Sequence, residues 1–428
     1  MNHNWKRHIL PAVAGNILEL YEFIIYGYFT SIIGDLFFPA EDKLTSILAA
    51  LAVFAAGSVI RPFSAIFLGY FGDKVGRRAS LILSIGIMAF ATMGIGLLPV
   101  YAQISIAAPV LLLVFRMLQG ISMTGEEVGA ALYLVENSPD YEKAFASSFI
   151  LGSVFIGLYF GSIISALVFS LLGDDALTSW GWRLPFILGG CLGFLVLIRR
   201  IRQPESEEFK AAMSRNEISK NPVKDLVGQY KFSVIRLTLL SAVYAVTVYL
   251  FAVYIPAILI MAKIIKQKVM IMCSTCFLLT FIISLISGKI ADKFGSTIPL
   301  IISTTGLFLL SYPIFYCLSG ASIISIFFAY ILLAILLGLN AGSIMIEMIK
   351  PFPTSTRFSG CCISFNLGMS LFGGVSPVLA MYLTQYFHNP VAPAFIVMAA
   401  AILTLFAVLV EKQNQYNGEF AHANQNSR

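Results

Sequence analysis

Twelve runs of twenty or more mostly apolar residues fill the chain. A helix needs about 20 such residues to cross a bilayer. Inside hydrocarbon, only helices and closed barrels satisfy their own backbone. The runs here are continuous, not alternating, which selects helices over barrel strands. Their approximate bounds are 10–38, 44–71, 79–99, 105–136, 143–172, 183–201, 232–262, 268–291, 297–319, 321–349, 356–387 and 390–411, numbered here as helices 1 to 12. Gaps hold the breakers and charges: FFPAEDK, GDKVGRR, NSPDYEK, LLGDDALTSWGWR, ADKFGST and KPFPTSTR. Composition agrees, with 58% hydrophobic and 12% charged residues. A soluble protein would be about one-quarter charged. The expected fold class is an all-α membrane protein with 12 transmembrane helices.

Lysine and arginine set the expected orientation. With the N-terminus inside, Lys6, Arg7, Lys74, Arg77, Arg78, Lys143, the basic cluster of 199–236, Lys289, Lys293, Lys350, Arg357, Lys412 and Arg428 are cytoplasmic. Only Lys43, Arg183, Lys263, Lys266 and Lys268 fall outside, while Arg61 and Arg116 lie within helices. An even helix number returns the C-terminus to the cytoplasm. The formal net charge of +6 needs no nucleic-acid partner when the positive residues sort to one membrane side. The N-terminus has the basic-then-apolar look of a signal peptide. Glu19, Glu22 and the length of the run make it an uncleaved first helix instead.

The organisation is bipartite. Residues 202–231 form the only long polar segment before the tail, with six helices on either side. The expected division is a six-helix bundle at 1–201, a cytoplasmic linker at 202–231, a second bundle at 232–412 and a cytoplasmic tail at 413–428. A related phrase joins the second and third helix of each half. GYFGDKVGRR runs from Gly69 to Arg78, and GKIADKFGS from Gly288 to Ser296. Asp73 and Asp292 occupy the same place in the two phrases, the mark of two parallel repeats. The first phrase matches G-x-x-x-D-(R/K)-x-G-R-(R/K) at Gly69, Asp73, Lys74, Gly76, Arg77 and Arg78. The second has Ser296 and Thr297 where arginine would stand.

This phrase resembles the signature of the major facilitator superfamily. More of the chain is similar to one branch, the metabolite–proton symporters that include proline/glycine-betaine transporters. The resemblance runs through GNILELYEFIIYGYF, IRPFSAIFLGYFGDKVGRR, RMLQGISMTGEEVGA, WGWRLPF, RRIRQPESEEF and FPTSTRFSGCCISFNLG. It implies two six-helix bundles around a central cavity, alternating access and a bacterial inner membrane. It also implies that the Asp73 phrase is a latch between bundles, so Gly69, Asp73, Gly76, Arg77, Arg78 and Asp292 are expected to gate. The branch phrase around Gly-Gly-Glu favours Glu126 as the functional acid of helix 4. Glu22 stands where the branch usually has aspartate, and Glu127 where it usually has an aromatic residue.

The acids of helix 1 are the strongest chemical signal. Glu19 and Glu22 lie three residues apart, about 60° around one helical face. A charge at mid-bilayer costs roughly 2.5–3.5 kcal/mol on insertion scales. Two like charges cost more, so at least one is expected to be protonated or to meet a cation. His3, His8, His388 and His422 fall near helix ends or in tails, so an intramembrane proton site must be carboxylate-based. A buried ion pair that only holds helices together is the alternative. On helix 4, Arg116 and Glu127 share a face and are about 16 Å apart along the axis, while Glu126 is turned by about 100° from Glu127. Glu19, Glu22 and Glu126 lie at comparable depth and are expected to line one cavity as proton-coupling groups. Arg61 and Arg116 supply the intramembrane positive charge, as substrate ligands or as partners of the acids. Pro62 after Arg61 frees a backbone carbonyl.

A zwitterion needs an acid for its nitrogen and a donor for its carboxylate, and aromatic faces attract quaternary ammonium. Tyr21, Phe23 and Tyr26 flank the acids of helix 1, and Tyr244, Tyr249 and Tyr254 lie on helix 7. Arg61, Arg116, Tyr26, Asn16 and Glu127 are the expected substrate-binding set, with Asn340 and Asn366 as further cavity candidates. Four acids against two arginines favour a substrate with a positive part. The alternative is symport of a mono-, di- or tricarboxylate. A passive uniporter or membrane sensor is a third reading, and it needs no titratable acids at matched depth. Each proton carried inward gains about 2.3 kcal/mol per 100 mV and about 1.4 kcal/mol per pH unit.

Glycines in GSVFIGLYFGSIIS predict close packing of helix 5. The six cysteines, including Cys273–Cys276 and Cys361–Cys362, read as small apolar residues rather than a metal or disulfide framework. No nucleotide-phosphate loop, HExxH or catalytic triad pattern occurs, so neither an enzyme nor ATP-driven transport is expected. The expected partners are a small solute, protons and the bilayer, with no cofactor, metal, nucleic acid or obligatory protein partner. The tail after Glu411 is short and polar, without heptads.

Overall fold

The computed structural model describes residues 5–426 except 220, 263 and 321, and only the backbone of 5, 43, 44, 266 and 411–426. His3, Lys263 and Arg428 lie outside the described residues. Among the described residues, twelve helices are long and apolar enough to span a membrane. They are helix 1 (Lys6–Phe37), helix 2 (Thr45–Lys74), helix 3 (Arg77–Leu97), helix 4 (Ala107–Glu136), helix 5 (Asp140–Leu171) and helix 6 (Asp174–Ile201). The second half adds helix 7 (Lys231–Met261), helix 8 (Gln267–Phe294), helix 9 (Thr297–Leu318), helix 10 (Ile323–Ile349), helix 11 (Arg357–Tyr386) and helix 12 (Pro393–Val410). Each matches an apolar run read from the sequence. The last continues as helical backbone to Asn426.

Helices 1 to 6 pack into one bundle and helices 7 to 12 into a second. The bundles meet mainly where helix 5 lies on helix 8 and helix 2 on helix 11, with helix 10 against helix 5. The expected glycines of helix 5 serve its packing on helix 8 at Gly152 and on helix 1, within its own bundle, at Gly157 and Gly161. A Cβ at Gly157 would run into the backbone of Ile17, and one at Gly161 into Ile24 of helix 1. The polar segment between the bundles holds two short helices, Glu207–Ser214 and Pro222–Gln229. Ser206 and Asn221 cap them by accepting from the amides of Phe209 and Lys224.

Three helices are broken near the middle, and each break has a sequence cause. Helix 2 is interrupted at Ile60, just before Arg61 and Pro62. Proline cannot donate to the carbonyl four residues back. That carbonyl, on Ser58, accepts instead from the Ser370 hydroxyl of helix 11 at 3.2 Å. Helices 7 and 11 carry π-helical turns at Leu250–Tyr254 and Met369–Gly374, ahead of Pro256 and Pro377. Such turns are over-represented at functional sites.

Candidate functional site

A small cavity lies between the bundles at these breaks. It is lined by Leu20 and Phe23 of helix 1, Arg61 of helix 2, Met123 and Glu127 of helix 4, and Val154 and Leu158 of helix 5. Helix 7 supplies Tyr244, Val248, Tyr249 and Ala252, and helix 11 supplies Met369. Its volume is about 20 Å³, room for roughly one water. As it stands, this space is too small for an organic solute.

The cavity holds one cation and one anion, already paired. Arg61 Nη2 donates to Glu127 Oε2 at 2.9 Å, with both side chains buried. Arg61 Nε donates to Asn366 Oδ1 at 2.9 Å, and the Asn366 amide donates to the carbonyl of Thr124 at 3.2 Å. The guanidinium on helix 2 is thus held by helix 4 of its own bundle and by helix 11 of the other. The Tyr244 hydroxyl is buried and has no hydrogen-bond partner among the described residues. Phe23 meets Tyr249 edge to face, centroids 5.8 Å apart, which joins helix 1 to helix 7 over the cavity. The second cavity candidate, Asn340, instead donates to Ser303 within the second bundle at 3.3 Å.

The other acids stand behind this wall. Glu22 Oε2 accepts from the Thr92 hydroxyl and from Gln119 Nε2, the latter at 2.9 Å. Gln119 Oε1 accepts from Arg116 Nη1 at 2.6 Å. Arg116 in turn lies over the rings of Tyr26 and Phe54, 4.3 and 4.8 Å from their centroids. The Tyr26 hydroxyl donates to the carbonyl of Ala50. Glu126 is held by Arg200 through both carboxylate oxygens, with Nη1 to Oε2 at 2.5 Å. Glu19 is buried, and neither of its oxygens has a hydrogen-bond partner among the described residues. Asn16 donates to the Ile150 carbonyl and the Ser153 hydroxyl at 2.7 and 2.8 Å, fastening helix 1 to helix 5.

The expectation that Glu19, Glu22 and Glu126 line one cavity differs from this arrangement. Glu127, with Arg61, faces the cavity, and the step of about 100° per residue turns Glu126 toward helix 6. Asn16, Tyr26 and Arg116 lie outside the cavity lining, in contacts within the first bundle. Sequence reasoning missed Arg200 by placing it with its exposed neighbours Arg199 and Arg202 in the cytoplasmic cluster. A usable signal existed: Arg199 and Arg202 share a helical face, and Arg200 points elsewhere. It also missed the Thr92–Gln119 bridge and Glu136.

On the face that carries the linker, each of the two repeated phrases makes contact with the other bundle. Asp73 is fully buried and accepts from the amides of Phe358 and Ser359, at 3.1 and 2.9 Å, at the start of helix 11. Asp292 accepts from the amides of Ala144 and Phe145, at 2.8 and 2.9 Å, at the start of helix 5. Each acid so satisfies open amides at the positive end of a helix in the other bundle. Gly69 and Gly288 allow the approach, since an added Cβ would lie 2.8 Å from Ser359 Cα and 2.5 Å from Ser148 Oγ. Gly76 and Gly295, at φ 125° and 91°, turn each loop into the next helix.

Arg77 binds Asp73, Glu136 and the carbonyls of Gly72 and Thr354. Arg78 does not reach Asp73. Its amide donates to Glu205 and its guanidinium to the carbonyl of Ile201, tying it to the linker. The linker joins the lock through Ser206, which donates to Glu136 at 2.6 Å, and Glu208, which pairs with Arg357 at 2.6 Å and Lys143 at 3.3 Å.

The model of the Major Facilitator Superfamily matches residues 20–360. The chain belongs to the major facilitator superfamily. It is a multi-pass membrane transporter, not an enzyme. It is 30% identical over 418 residues to the glycine betaine/proline/ectoine/pipecolic acid transporter OusA of Dickeya dadantii, covering 95% of this chain and 83% of that protein. The proline/betaine transporter of Escherichia coli strain K12 is 30% identical over 419 residues, with the same shares. The proton:xylose symporter XylE bound to 6-bromo-6-deoxy-D-glucose superposes with a TM-score of 0.77 over 96% of each chain at 16% identity. That likeness carries the fold.

Proposed function

We propose that this chain is a proton-coupled symporter of a small zwitterion such as proline or glycine betaine, working in a bacterial inner membrane with both termini cytoplasmic. The observation that carries this reading is the Arg61–Glu127 pair in a cavity walled by Phe23, Tyr244 and Tyr249. A zwitterion replaces both halves of that pair at once. Its carboxylate takes Arg61 and the unpartnered Tyr244 hydroxyl. Its nitrogen takes Glu127 and the faces of Phe23 and Tyr249. A dicarboxylate would leave Glu127 as an uncompensated like charge beside it. The names of the relatives from Dickeya dadantii and E. coli support the same substrate class.

Glu19 is the acid we assign to the coupling proton, with Glu22 on the same helix as its relay, because a carboxyl at this depth is stable only when neutral or beside a cation. Protonation from outside removes the cost of closing the cavity. The bundles, 1–201 and 232–412, then rock about the linker at 202–231. The Asp73 and Asp292 locks on the cytoplasmic face open, and solute and proton leave inside. Arg116, Tyr26 and Asn16 hold helix 1 and its acids in place during this movement. The Lys and Arg bias toward the linker face supports the orientation.

The test is uptake into proteoliposomes under an imposed inward proton gradient, with and without protonophore. Labelled proline and glycine betaine are compared with 2-oxoglutarate and citrate. Gradient-dependent accumulation of a zwitterion is expected. Accumulation of the carboxylates alone would overturn the substrate class, and uptake indifferent to the gradient would overturn the coupling.

A further inference from the structure

Arg200 stands near the end of helix 6, in a run of cations at the linker face, yet it is fully buried. Its guanidinium grips both oxygens of Glu126. It also donates to the carbonyl of Ala12 at 3.1 Å, to that of Leu81 at 3.2 Å and, more weakly, to that of Pro11 at 3.4 Å. One side chain therefore joins helices 1, 3, 4 and 6. The site is built for it. Gly15 of helix 1 faces the pair, and a Cβ there would run into Glu126 and lie 2.6 Å from Arg200 Nη2.

Glu19 lies four residues beyond Gly15, one turn up the same face of helix 1. Its charge interacts most strongly with those of Glu127 and Glu126 of helix 4, then with Arg61 of helix 2 and Glu22 of its own helix. This cluster contains the acids Glu19, Glu126 and Glu127, and among the described residues two arginines are bonded to it. Arg61 takes Glu127 and Arg200 takes Glu126. Glu19 is left with both oxygens unpartnered. An Arg–carboxylate pair bonded through both oxygens is the geometry that best holds a carboxylate as an anion.

We propose that Arg200 is a positioning residue for proton coupling: it reserves Glu126 as a permanent anion, so that the transported proton resides on Glu19. This rests on the proton-symport reading above. Without Arg200, Glu126 becomes a second unpartnered buried acid. It then takes up a proton of its own, and solute movement is no longer tied to Glu19. Removing Glu126 as well restores the original count of one unpartnered acid.

The experiment compares wild type, Glu19→Gln, Arg200→Gln, Arg200→Lys and the double variant Arg200→Gln/Glu126→Gln in proteoliposomes. Two readouts use labelled glycine betaine: accumulation driven by an imposed proton gradient, and counterflow against unlabelled solute without a gradient. Glu19→Gln is expected to keep counterflow and lose accumulation. Arg200→Gln is expected to do the same, with accumulation partly rescued in Arg200→Lys. The double variant regains accumulation. A double variant no better than Arg200→Gln would overturn the proposal and make Arg200 a fastener of the Pro11, Ala12 and Leu81 carbonyls. Accumulation at the wild-type level in Glu19→Gln would also overturn it, and that variant leaves Arg200 untouched if Arg200→Gln does not fold. Failure of the wild type to accumulate would instead fall on the symport reading itself and take this assignment with it.

Discussion

Asp73 and Asp292 occupy the same place in the two halves, and both bind the first amides of a helix in the opposite bundle. Their surroundings differ. Asp73 is fully buried beside Arg77, whose guanidinium is also fully buried and reaches Glu136 of helix 4. In the second half, Ser296 stands near the place of that arginine. It donates to Glu347 of helix 10, and the cation is Lys350, 2.5 Å from Glu347 and 48% exposed. The geometry of the lock survives in both copies, but only the first keeps a dry arginine fork. The comparison teaches that the acid-to-helix contact needs only an acid and a close-approach glycine. The arginine adds strength and a link to the linker.

The largest expected effect is at Asp73. Asp73→Asn leaves Arg77 short of a partner and weakens the cap on helix 11 in a site closed to water. We expect a loss of about 1–3 kcal/mol of stability in the closed state and a fall in transport of about tenfold or more. Asp292→Asn, in a half-exposed site, is expected to cost less than about 1 kcal/mol. Thermal unfolding in detergent and initial uptake rates measure both. Equal losses would show that burial of the arginine fork is irrelevant.

Arg77→Lys sharpens the comparison further. It keeps the charge and loses the fork that serves Asp73, Glu136 and two carbonyls. Its loss is expected to lie between that of Arg77→Gln and wild type, and a variant equal to wild type would reduce Arg77 to a point charge. Salt separates the two halves in a third way. The stability difference between wild type and Lys350→Gln should vanish as salt rises toward 1 M, where the screening length is about 3 Å. The difference for Arg77→Gln should persist, because water and ions do not reach that pair. The smallest expected effect is at Glu208→Ala. Its contacts with Arg357 and Lys143 are partly exposed, so about 0–1 kcal/mol is expected. A larger loss would mean that the linker is a main bar of the lock.

The halves also differ in their interiors. Glu19, Glu22, Glu126 and Glu127 all belong to the first bundle, as do Arg61, Arg116 and Arg200. The second bundle offers the cavity Tyr244, Tyr249 and Met369, together with Asn366, which bonds the first bundle's Arg61. Around the cavity, the charges thus come from the first half and the aromatic walls mostly from the second.

By itself the sequence determined the twelve helices, their division into two halves and the repeated acidic phrase that joins the second and third helix of each half. These follow from the length and polarity of contiguous segments and from a phrase written twice, all local properties. It also determined that acids must be neutralised inside the membrane, since the cost of a charge there does not depend on the fold. Only the tertiary structure decided which acid meets which cation. The helical period fixes the angle between Glu126 and Glu127, but not how helix 4 is rotated against its neighbours. That rotation turns Glu127 to Arg61 across the cavity and Glu126 to Arg200 behind it. It leaves Glu19 unpartnered. Arg200 shows the limit most plainly: in the sequence it is one cation in a basic run, and only the packing of helices 1, 3, 4 and 6 brings it inside.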